Sequence, residues 1–447
     1  MIIILQILEK SSKKCIVHRM LINKKGDFAV SIISGVILPF FLLAAGAYFA
    51  FLLLPSLLKR REGRPRARGS VRAVVLALAG TLGVGNIAGV ASAIALGGAG
   101  AIFWIWISAL LAMFLKYAEV VLALRHRRYD AGGRAHGGAP YYIRKAFGGR
   151  AGRVLGGGFA VLCLLCMFTL GGVVQSAAAS EAMQGGFGVP PVITGGLLGL
   201  GAAAVLWRGS GGVERACAVL VPVVCVLFSA GSLAAILLRA KALPAVLVQI
   251  VREAFSFESA AGGAVGFFTS RAVRYGVARG LVSNEAGCGT APIAHAAAQV
   301  VRPADQGVWG IVEVFVDTIL LCTMTALVIL TSGVPVKSGG GMAYALAAYG
   351  AVLGEFAAPL LAVSVLIFAF ATVLCWAYYG RESVYALRGK EEGKLLPLFV
   401  AFSCLLGALA APALVWDVTD LVLGVMTLLN LLALLLLRRE VREESRR

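Results

Sequence analysis

Seven residues, Gly80 to Asn86, interrupt a hydrophobic segment that is long enough to cross a lipid bilayer. They read Gly-Thr-Leu-Gly-Val-Gly-Asn, and three glycines with an asparagine are poor material for an uninterrupted helix. Lipid cannot satisfy exposed backbone groups, so an unwound turn at this depth persists only against protein, a water-filled cavity or a ligand. A broken membrane helix of this kind indicates a binding site and favours a transport function.

The composition of the 447-residue chain is typical of a polytopic helical membrane protein, with 60% hydrophobic residues, 14% charged residues and a mean hydropathy of +0.89. About 20 apolar residues span the hydrocarbon core as a helix. Transmembrane β-strands give much weaker, alternating segments, so the sequence predicts an all-α protein. Eleven stretches qualify as spans, at roughly 28–55, 72–96, 100–124, 154–182, 191–207, 215–238, 259–281, 308–331, 354–379, 395–413 and 416–437.

Lysine and arginine are unevenly distributed between the loops. Alternate loops, from residues 59–72 to residues 438–447, hold 30 positive residues, and the intervening loops hold four. Short cytoplasmic loops retain positive charge. We therefore predict a protein of the cell membrane, with the bacterial inner membrane as the preferred location, whose N-terminus is outside and whose C-terminus is cytoplasmic. The net charge of +19 then reflects topology and contact with anionic lipids, and it requires no nucleic-acid partner.

Residues 1–26 do not fit this topology, because six positive residues there would lie outside. Their Ile- and Lys-rich composition also differs from the Ala-, Gly-, Val-, Leu- and Arg-rich remainder. A misassigned start codon explains both features, with Met20 as one candidate for the true start. A cleaved signal peptide fits less well, because the early apolar run precedes the positive charges. We therefore separate an extension, 1–26, from a transporter domain, 27–447.

The sequence argues against an enzyme or a channel. It contains no nucleotide-binding loop, no cluster of metal ligands, no nucleophile with a nearby base and no repeated filter-like loop. Cys163 and Cys166 have the spacing of a redox pair, but they lie in an apolar helix without a charged neighbour that would lower a thiol pKa. Packing explains these two cysteines better.

Three blocks of glycine-rich and polar sequence follow one another along the chain. They comprise Gly85–Val90, Gly97–Trp106 and Lys116–Glu119, then Arg279–Gly287, Ala291–Ala296, Gln306, Gly307 and Phe315–Thr318, and finally Thr372–Gly380. In content and order they resemble the alanine or glycine:cation (sodium) symporter family. The resemblance implies a leucine-transporter-like fold of two inverted five-helix repeats, about 71–238 and 259–438, preceded by one extra N-terminal helix.

The same resemblance places an amino-acid substrate at the broken helix. Backbone groups of Thr81 and Gly85 would hold the carboxylate, Asn86 would contribute its side-chain amide, and Gly83 would also line the substrate site. This arrangement suits a zwitterion, because helix N-termini offer unpaired N–H groups and partial positive charge. No full positive charge needs to be buried in the membrane.

A sodium site is also implied by the resemblance. Its ligands would be the carbonyls of Ala79 and Leu82 and the hydroxyl of Thr372, which are hard oxygen ligands without a carboxylate. Such a site should have modest affinity. Ala371 departs from the family pattern and removes one hydroxyl next to Thr372, which leaves a proton-coupled or uncoupled carrier of the same fold as the alternative to sodium symport.

The resemblance also assigns Gln175, Trp376 and, in addition to its role at the sodium site, Thr372 to the substrate site. Gln175 lies deep in the fourth predicted helix and would contact the polar end of the substrate, although a helix–helix hydrogen bond would also satisfy its amide. Trp376 lies four residues after Thr372, on the same helix face. It could wall a small pocket and exclude larger amino acids, or it could be an interfacial tryptophan.

The inverted symmetry implied by the resemblance would break the seventh predicted helix opposite Gly83, at Gly262, Gly263 and Gly266. Phe267 and Phe268 could then line the pocket or pack against other helices. Acidic residues also fall within or near helices, and we assign none of them to the site. They are Glu119, Glu181, Glu313 and Asp317.

Overall fold

The computed structural model describes residues 38–59, 68–256, 270–300, 302–336, 341–390, 395–409 and 412–446. Nearly all of them are helical, which confirms the all-α prediction. The helices are α1 (Leu38–Lys59), α2 (Arg68–Thr81), α3 (Ala88–Gly97), α4 (Gly100–Arg125), α5 (Ala139–Phe147), α6 (Gly149–Cys166), α7 (Gln175–Phe187), α8 (Pro191–Leu206), α9 (Ser210–Leu238), α10 (Leu243–Ala254), α11 (Arg271–Asn284), α12 (Ala291–His295), α13 (Pro303–Val314), α14 (Thr323–Thr331), α15 (Gly341–Leu353), α16 (Ala357–Arg388), α17 (Leu395–Leu409), α18 (Pro412–Leu436) and α19 (Arg438–Arg446).

Three short helical elements interrupt or join these helices near the middle of the bundle. A 3₁₀ turn, Val84–Asn86, separates α2 from α3. Two π-helical segments, Met167–Val174 and Phe315–Cys322, join α6 to α7 and α13 to α14. Stretches of π-helix are rare and occur frequently at functional sites. Both segments lie at the level of the broken helix, as the contacts described below show.

Seven helices in the described ranges are long and apolar enough to cross a membrane. There are eight if α2 and α3, which are bent by 62° at a short break, form one span, and α8 and α17 are shorter apolar helices. The seventh predicted span, 259–281, is described only from residue 270. The chain is therefore a multi-pass helical membrane protein, and the total of eleven spans stays a prediction.

Two long helices, α4 and α16, organise the bundle. Helix α4 packs along α11 and α13, whereas α16 packs along α2, α7 and α9. Small residues allow the close approaches that hold membrane helices together. A Cβ atom on Gly276 of α11 would lie 2.5 Å from the Ala101 carbonyl oxygen of α4. A Cβ atom on Gly199 of α8 would lie 2.8 Å from the Ala401 carbonyl oxygen of α17.

A small hairpin, β1 (Arg128–Tyr129) and β2 (Ala135–His136), clamps the C-terminal end of α16. The His136 ring stacks on Tyr385 at 3.6 Å, and its Nδ1 lies 2.8 Å from Glu382 Oε2. Burial of the imidazole acts to lower its pKa, but hydrogen bonds to Glu382 and Asp130 outweigh it and raise the pKa of His136. This clamp anchors the helix that carries Thr372.

Several predicted features lie outside the described residues. They are the N-terminal extension 1–26 with Met20, the second helix break at Gly262, Gly263 and Gly266, and the aromatic pair Phe267 and Phe268.

Candidate functional site

The helix break lies where the glycine-rich stretch predicts it. Helix α2 ends at Thr81, the 3₁₀ turn follows, and α3 starts at Ala88. Gly83 lies between the two helices in an extended conformation, with φ −139° and ψ −159°. An extended residue cannot continue the i→i−4 ladder, so the backbone groups on either side of Gly83 must find other partners.

At the break, two side-chain oxygens accept the backbone hydrogen bonds that helical carbonyls would accept in an uninterrupted helix. The N–H of Gly83 donates to Asn86 Oδ1 at 3.0 Å, and the N–H of Val84 donates to Gln175 Oε1 at 3.3 Å. In an unbroken helix these two N–H groups would bond the carbonyls of Ala79 and Gly80. The break therefore releases the Ala79 carbonyl, which is one of the predicted sodium ligands.

The other two predicted sodium ligands are in contact with each other. Thr372 Oγ1 lies 3.1 Å from the Leu82 carbonyl oxygen and 2.9 Å from the Phe368 carbonyl oxygen, and its one hydroxyl hydrogen can be donated to either. Thr372 and Leu82 are buried, and Ala79 lies three residues before Leu82 on the last turn of α2. The structure therefore brings two of the three oxygens that the resemblance assigns to a sodium site into contact.

Gly83 is required here for close approach rather than for backbone freedom. A Cβ atom at this position would lie 3.0 Å from Thr372 Oγ1 and 3.1 Å from Gln175 Oε1. Side chains from α16 and α7 therefore meet directly over the Gly83 backbone. This contact brings Gly83, Gln175 and Thr372, three of the predicted substrate residues, together around the break.

Asn86 is the most connected polar residue of the break. Its Nδ2 donates to Asp317 Oδ1 at 2.7 Å, to the Asp317 carbonyl at 3.1 Å and to Ser283 Oγ at 3.3 Å. Together with the bond from Gly83, these contacts tie the break to α11 and to the second π-helical segment. Asn86 is fully buried, and its side-chain amide stabilises the conformation of the break through these hydrogen bonds.

Asp317 is the residue of this site that the sequence analysis did not select. Its carboxylate accepts hydrogen bonds from Asn86, from Ser283 Oγ at 2.8 Å and from Thr318 Oγ1 at 2.7 Å, all of which are neutral donors. The signal available in the sequence was an acidic residue inside an apolar helix, which by itself favours a functional role. Three other acidic residues shared that signal, and only the tertiary contact with Asn86 distinguishes Asp317.

Thr81 and Gly85, whose backbone groups are predicted to bind the substrate carboxylate, lie in different elements. Thr81 belongs to the last turn of α2, and its hydroxyl lies 3.5 Å from the carbonyls of Ala77 and Leu78. Gly85 lies within the 3₁₀ turn, and its N–H donates to no described residue. The N–H of Gly85 and the first turn of α3 therefore offer unpaired donors to an anion.

Trp376 lies one helical turn beyond Thr372 on α16 and is fully buried. Its ring packs on Gly171, one turn before Gln175, and meets the Tyr379 ring edge-on at 5.4 Å. The indole N–H has no partner among the described residues. This environment excludes the interfacial alternative and places a large rigid side chain next to the break.

Replacing Trp376 by Ala should admit larger amino acids, because it removes the aromatic side chain that limits the space beside Thr372 and Gln175. We expect leucine to compete with labelled alanine at least about tenfold better than in the parent, equivalent to about 1.4 kcal/mol. Trp106→Ala is the matched control, because Trp106 bonds Thr323 on α14. An unchanged selectivity profile in Trp376→Ala would place the aromatic wall elsewhere.

The chain is similar to known transporters along nearly its whole length. The family model for the sodium:alanine symporter family matches residues 22–447. The sodium/alanine symporter AgcS of Methanococcus maripaludis is 36% identical over 380 residues, covering 84% of this chain and 83% of that protein. The probable sodium/glutamine symporter GlnT of Bacillus subtilis is 35% identical over 416 residues, covering 90% and 85% respectively.

The fold also has a solved counterpart. The crystal structure of MhsT in complex with L-phenylalanine matches with a TM-score of 0.62 at 14% identity, covering 86% of this chain and 93% of that one. The likeness shows the leucine-transporter fold alone. Because the family model extends over nearly the whole sequence, the chain belongs to the sodium:alanine symporter family, whose members are secondary transporters rather than enzymes.

Proposed function

We propose that this protein imports alanine, glycine or a similar small amino acid together with sodium, by alternating access across the cell membrane. The observation that carries the proposal is the break after α2. It releases the Ala79 carbonyl next to the Leu82–Thr372 contact and leaves the Gly85 N–H without a described partner. Oxygens for a cation and N–H donors for a carboxylate thus lie within one short stretch of backbone.

The substrate assignment rests on the size and polarity of this region. A substrate carboxylate would bind the Gly85 N–H and the N-terminal turn of α3, with Thr81 and Gly83 alongside it. Asn86 and Gln175 shape the break through their hydrogen bonds to Gly83 and Val84. Trp376 limits the space for the side chain, which favours alanine or glycine over bulkier amino acids.

The sodium assignment rests on the donor set. Ala79 and Leu82 belong to the broken helix and Thr372 belongs to α16, so an ion held by all three would tie these helices together. Because ion and substrate would favour the same closed arrangement, each should increase the affinity for the other. Sodium is therefore the coupling ion of this proposal, and no organic cofactor is required.

The proposed topology follows the charge of the loops, with the N-terminus outside and the C-terminus cytoplasmic. The two repeats would occupy residues of about 71–238 and 259–438, after the extra helix α1. The cytoplasmic side would then carry the β1–β2 hairpin and helix α19, whose Glu440 pairs with Arg125 at 2.9 Å. Arginine and lysine on the same side would contact anionic lipids.

A second candidate function is proton-coupled transport of the same substrates. The observation that favours it is the buried carboxylate of Asp317, whose described hydrogen-bond donors are all neutral. A buried carboxylate without a cationic partner takes up a proton or binds a cation. Ala371, next to Thr372, also leaves the sodium site without a second hydroxyl ligand.

Counterflow of labelled amino acids into proteoliposomes tests the two functions. For sodium symport, we expect uptake of alanine and glycine to rise steeply when sodium replaces choline, and we expect a pH gradient in choline buffer to drive no accumulation. Equal uptake in sodium and choline, together with stimulation by a pH gradient, would instead establish proton coupling. Absence of alanine and glycine counterflow under all conditions would refute the substrate assignment.

A further inference from the structure

The segment that connects α11 to α13, residues 285–300, is mostly buried, and we call it the plug. Every residue from 285 to 296 is buried. The chain turns there through left-handed conformations at Glu285, Gly287 and Gly289. Connections between helices normally run over the surface, because a buried loop carries backbone groups that are difficult to satisfy. The short helix α12 within the plug packs against α2, so the plug closes the bundle next to the half-helix that leads to the break.

One side of the plug is fastened by Glu119 of α4. Its Oε1 accepts hydrogen bonds from the N–H of Gly289 at 2.9 Å and from Asn430 Nδ2 at 2.6 Å. The same amide nitrogen of Asn430 donates to the Gly287 carbonyl at 2.8 Å. A single carboxyl group and a single asparagine therefore satisfy the backbone of the tightest part of the plug.

The other side of the plug is fastened by Glu313 of α13. His295 Nε2 lies 2.7 Å from Glu313 Oε2, and Lys116 Nζ lies 3.3 Å from Glu313 Oε1. The second ring nitrogen of His295 lies 2.8 Å from Gln306 Nε2. Lys116, His295 and Glu313 are all fully buried, so this ion pair is shielded from water.

Buried carboxyl groups outnumber buried lysine and arginine side chains in this interior. Three buried carboxyl groups lie in or beside the plug, those of Glu119, Glu285 and Glu313, and within the described chain Lys116 forms an ion pair with Glu313 only. Glu285 accepts a hydrogen bond from the neutral Thr290 hydroxyl at 2.6 Å. An isolated buried carboxylate is so costly that the group takes up a proton instead.

The second oxygen of Glu119 provides independent support. Glu119 Oε2 is buried and has no hydrogen-bond partner among the described residues, whereas Oε1 accepts two bonds. An ionised carboxylate would leave a charged oxygen unsatisfied at this place. A neutral carboxylic acid accepts both bonds on its carbonyl oxygen and leaves only a hydroxyl group unpaired, which costs far less.

We propose that the plug is a proton-linked gate, in which Glu119 and Glu285 are neutral carboxylic acids when the plug is closed and release their protons to water when it opens. Each release converts one carboxylic acid into a carboxylate and one hydronium ion, while the Lys116–Glu313 pair keeps its charges. The inference rests on the proposed transport function and its topology, in which the plug faces the cytoplasm. Among the described residues, other titratable groups also face the plug: Tyr142, Cys163, Cys166, Cys288, His295, Asp317, Cys375 and Tyr379.

Infrared spectroscopy tests the protonation state without requiring transport. A neutral carboxylic acid has a carbonyl stretching band that is separate from the bands of carboxylates and amides. We expect the purified protein to show this band at neutral pH, and we expect Glu119→Gln and Glu285→Gln each to remove part of it. Any contribution from Asp317 should remain in both variants. A band that neither substitution reduces would overturn the proposal.

Counterflow measured at equal pH on both sides of the proteoliposome tests the gate itself. Each proton released on opening shifts the opening equilibrium by about tenfold per pH unit, so release from both glutamates shifts it by up to about a hundredfold, and exchange in the parent should accelerate as pH rises. A glutamine imitates the protonated acid, so Glu119→Gln and Glu285→Gln should each exchange more slowly than the parent and keep only the pH dependence of the remaining glutamate, about tenfold per pH unit. The matched control is Glu443→Gln on α19, whose carboxylate is 61% exposed. Variants with the pH dependence of the parent would refute proton-linked gating.

The infrared and counterflow experiments together distinguish failure of this inference from failure of the proposed function. If the protein shows no amino-acid counterflow, the proposed function fails, and the infrared band still decides whether Glu119 and Glu285 hold protons. If counterflow is normal but the band is insensitive to both substitutions, only the gate is refuted. Using two glutamate positions protects the test against a single variant that does not fold.

Discussion

Asn86→Ala should weaken alanine binding by at least about tenfold, which is the largest effect expected of any single side chain at the break. The substitution leaves the Gly83 N–H and the Asp317 carboxylate without their partner in a buried region. Each buried group left unsatisfied costs about 1–3 kcal/mol, and a charged group costs more. Isothermal titration of purified protein with alanine in sodium buffer measures the effect.

The matched control for this prediction is Asn284→Ala. Asn284 is also a buried asparagine, but it bonds Thr318 at 3.3 Å and the N–H of Ala286 at 3.0 Å rather than the break. We expect the control to lower thermal stability while it preserves alanine affinity. An affinity in Asn86→Ala equal to that of the parent would show that the shape of the break does not depend on this amide.

Thr372→Ala should abolish the sodium dependence of alanine affinity and leave only weak, sodium-independent binding. The substitution removes the hydroxyl that contacts the Leu82 carbonyl at 3.1 Å, and with it the only proposed ligand contributed by α16. The ion could then no longer join the broken helix to α16, so the reciprocal coupling between ion and substrate would be lost. Alanine titrations over a series of sodium concentrations, with choline as replacement, measure this coupling.

Thr372→Ser is the control for this experiment, because it retains the hydroxyl and removes only a methyl group. It should preserve sodium dependence, and Ala371→Ser should strengthen sodium binding if its new oxygen reaches the ion. Sodium dependence that survives in Thr372→Ala would exclude Thr372 from the ion site. Sodium independence of the parent protein would remove the site altogether and favour Asp317 as the coupling group.

The resemblance and the local sequence together located most of the residues around the break. Glycines at 80, 83 and 85 were sufficient to predict where the membrane helix stops, because helix interruption is a local property of the backbone. Gln175, Thr372 and Trp376 came from the resemblance. The structure places Gln175 and Thr372 at the break, and it places Trp376 one turn away.

Some assignments required the three-dimensional contacts. Asp317 was one of four acidic residues with the same local signal, and only its bond to Asn86, 231 positions earlier in the chain, connects it with the break. Thr81 shows the opposite case, because its position in the glycine-rich stretch implied an unwound residue and the structure includes it in α2. A helix boundary depends on a few hydrogen bonds whose partners can come from distant segments.

The sequence by itself determined the membrane class, the helical architecture and the position of the break, since these follow from apolar segment length, charge distribution and local backbone preference. Only the tertiary structure decided which side chains accept hydrogen bonds from the backbone N–H groups at the break, and which carboxyl groups lie together at the plug. The plug illustrates the reason. Glu119 and Gly289 lie 170 positions apart, and the hydrogen bond between them depends on how the helices pack, which no local pattern encodes.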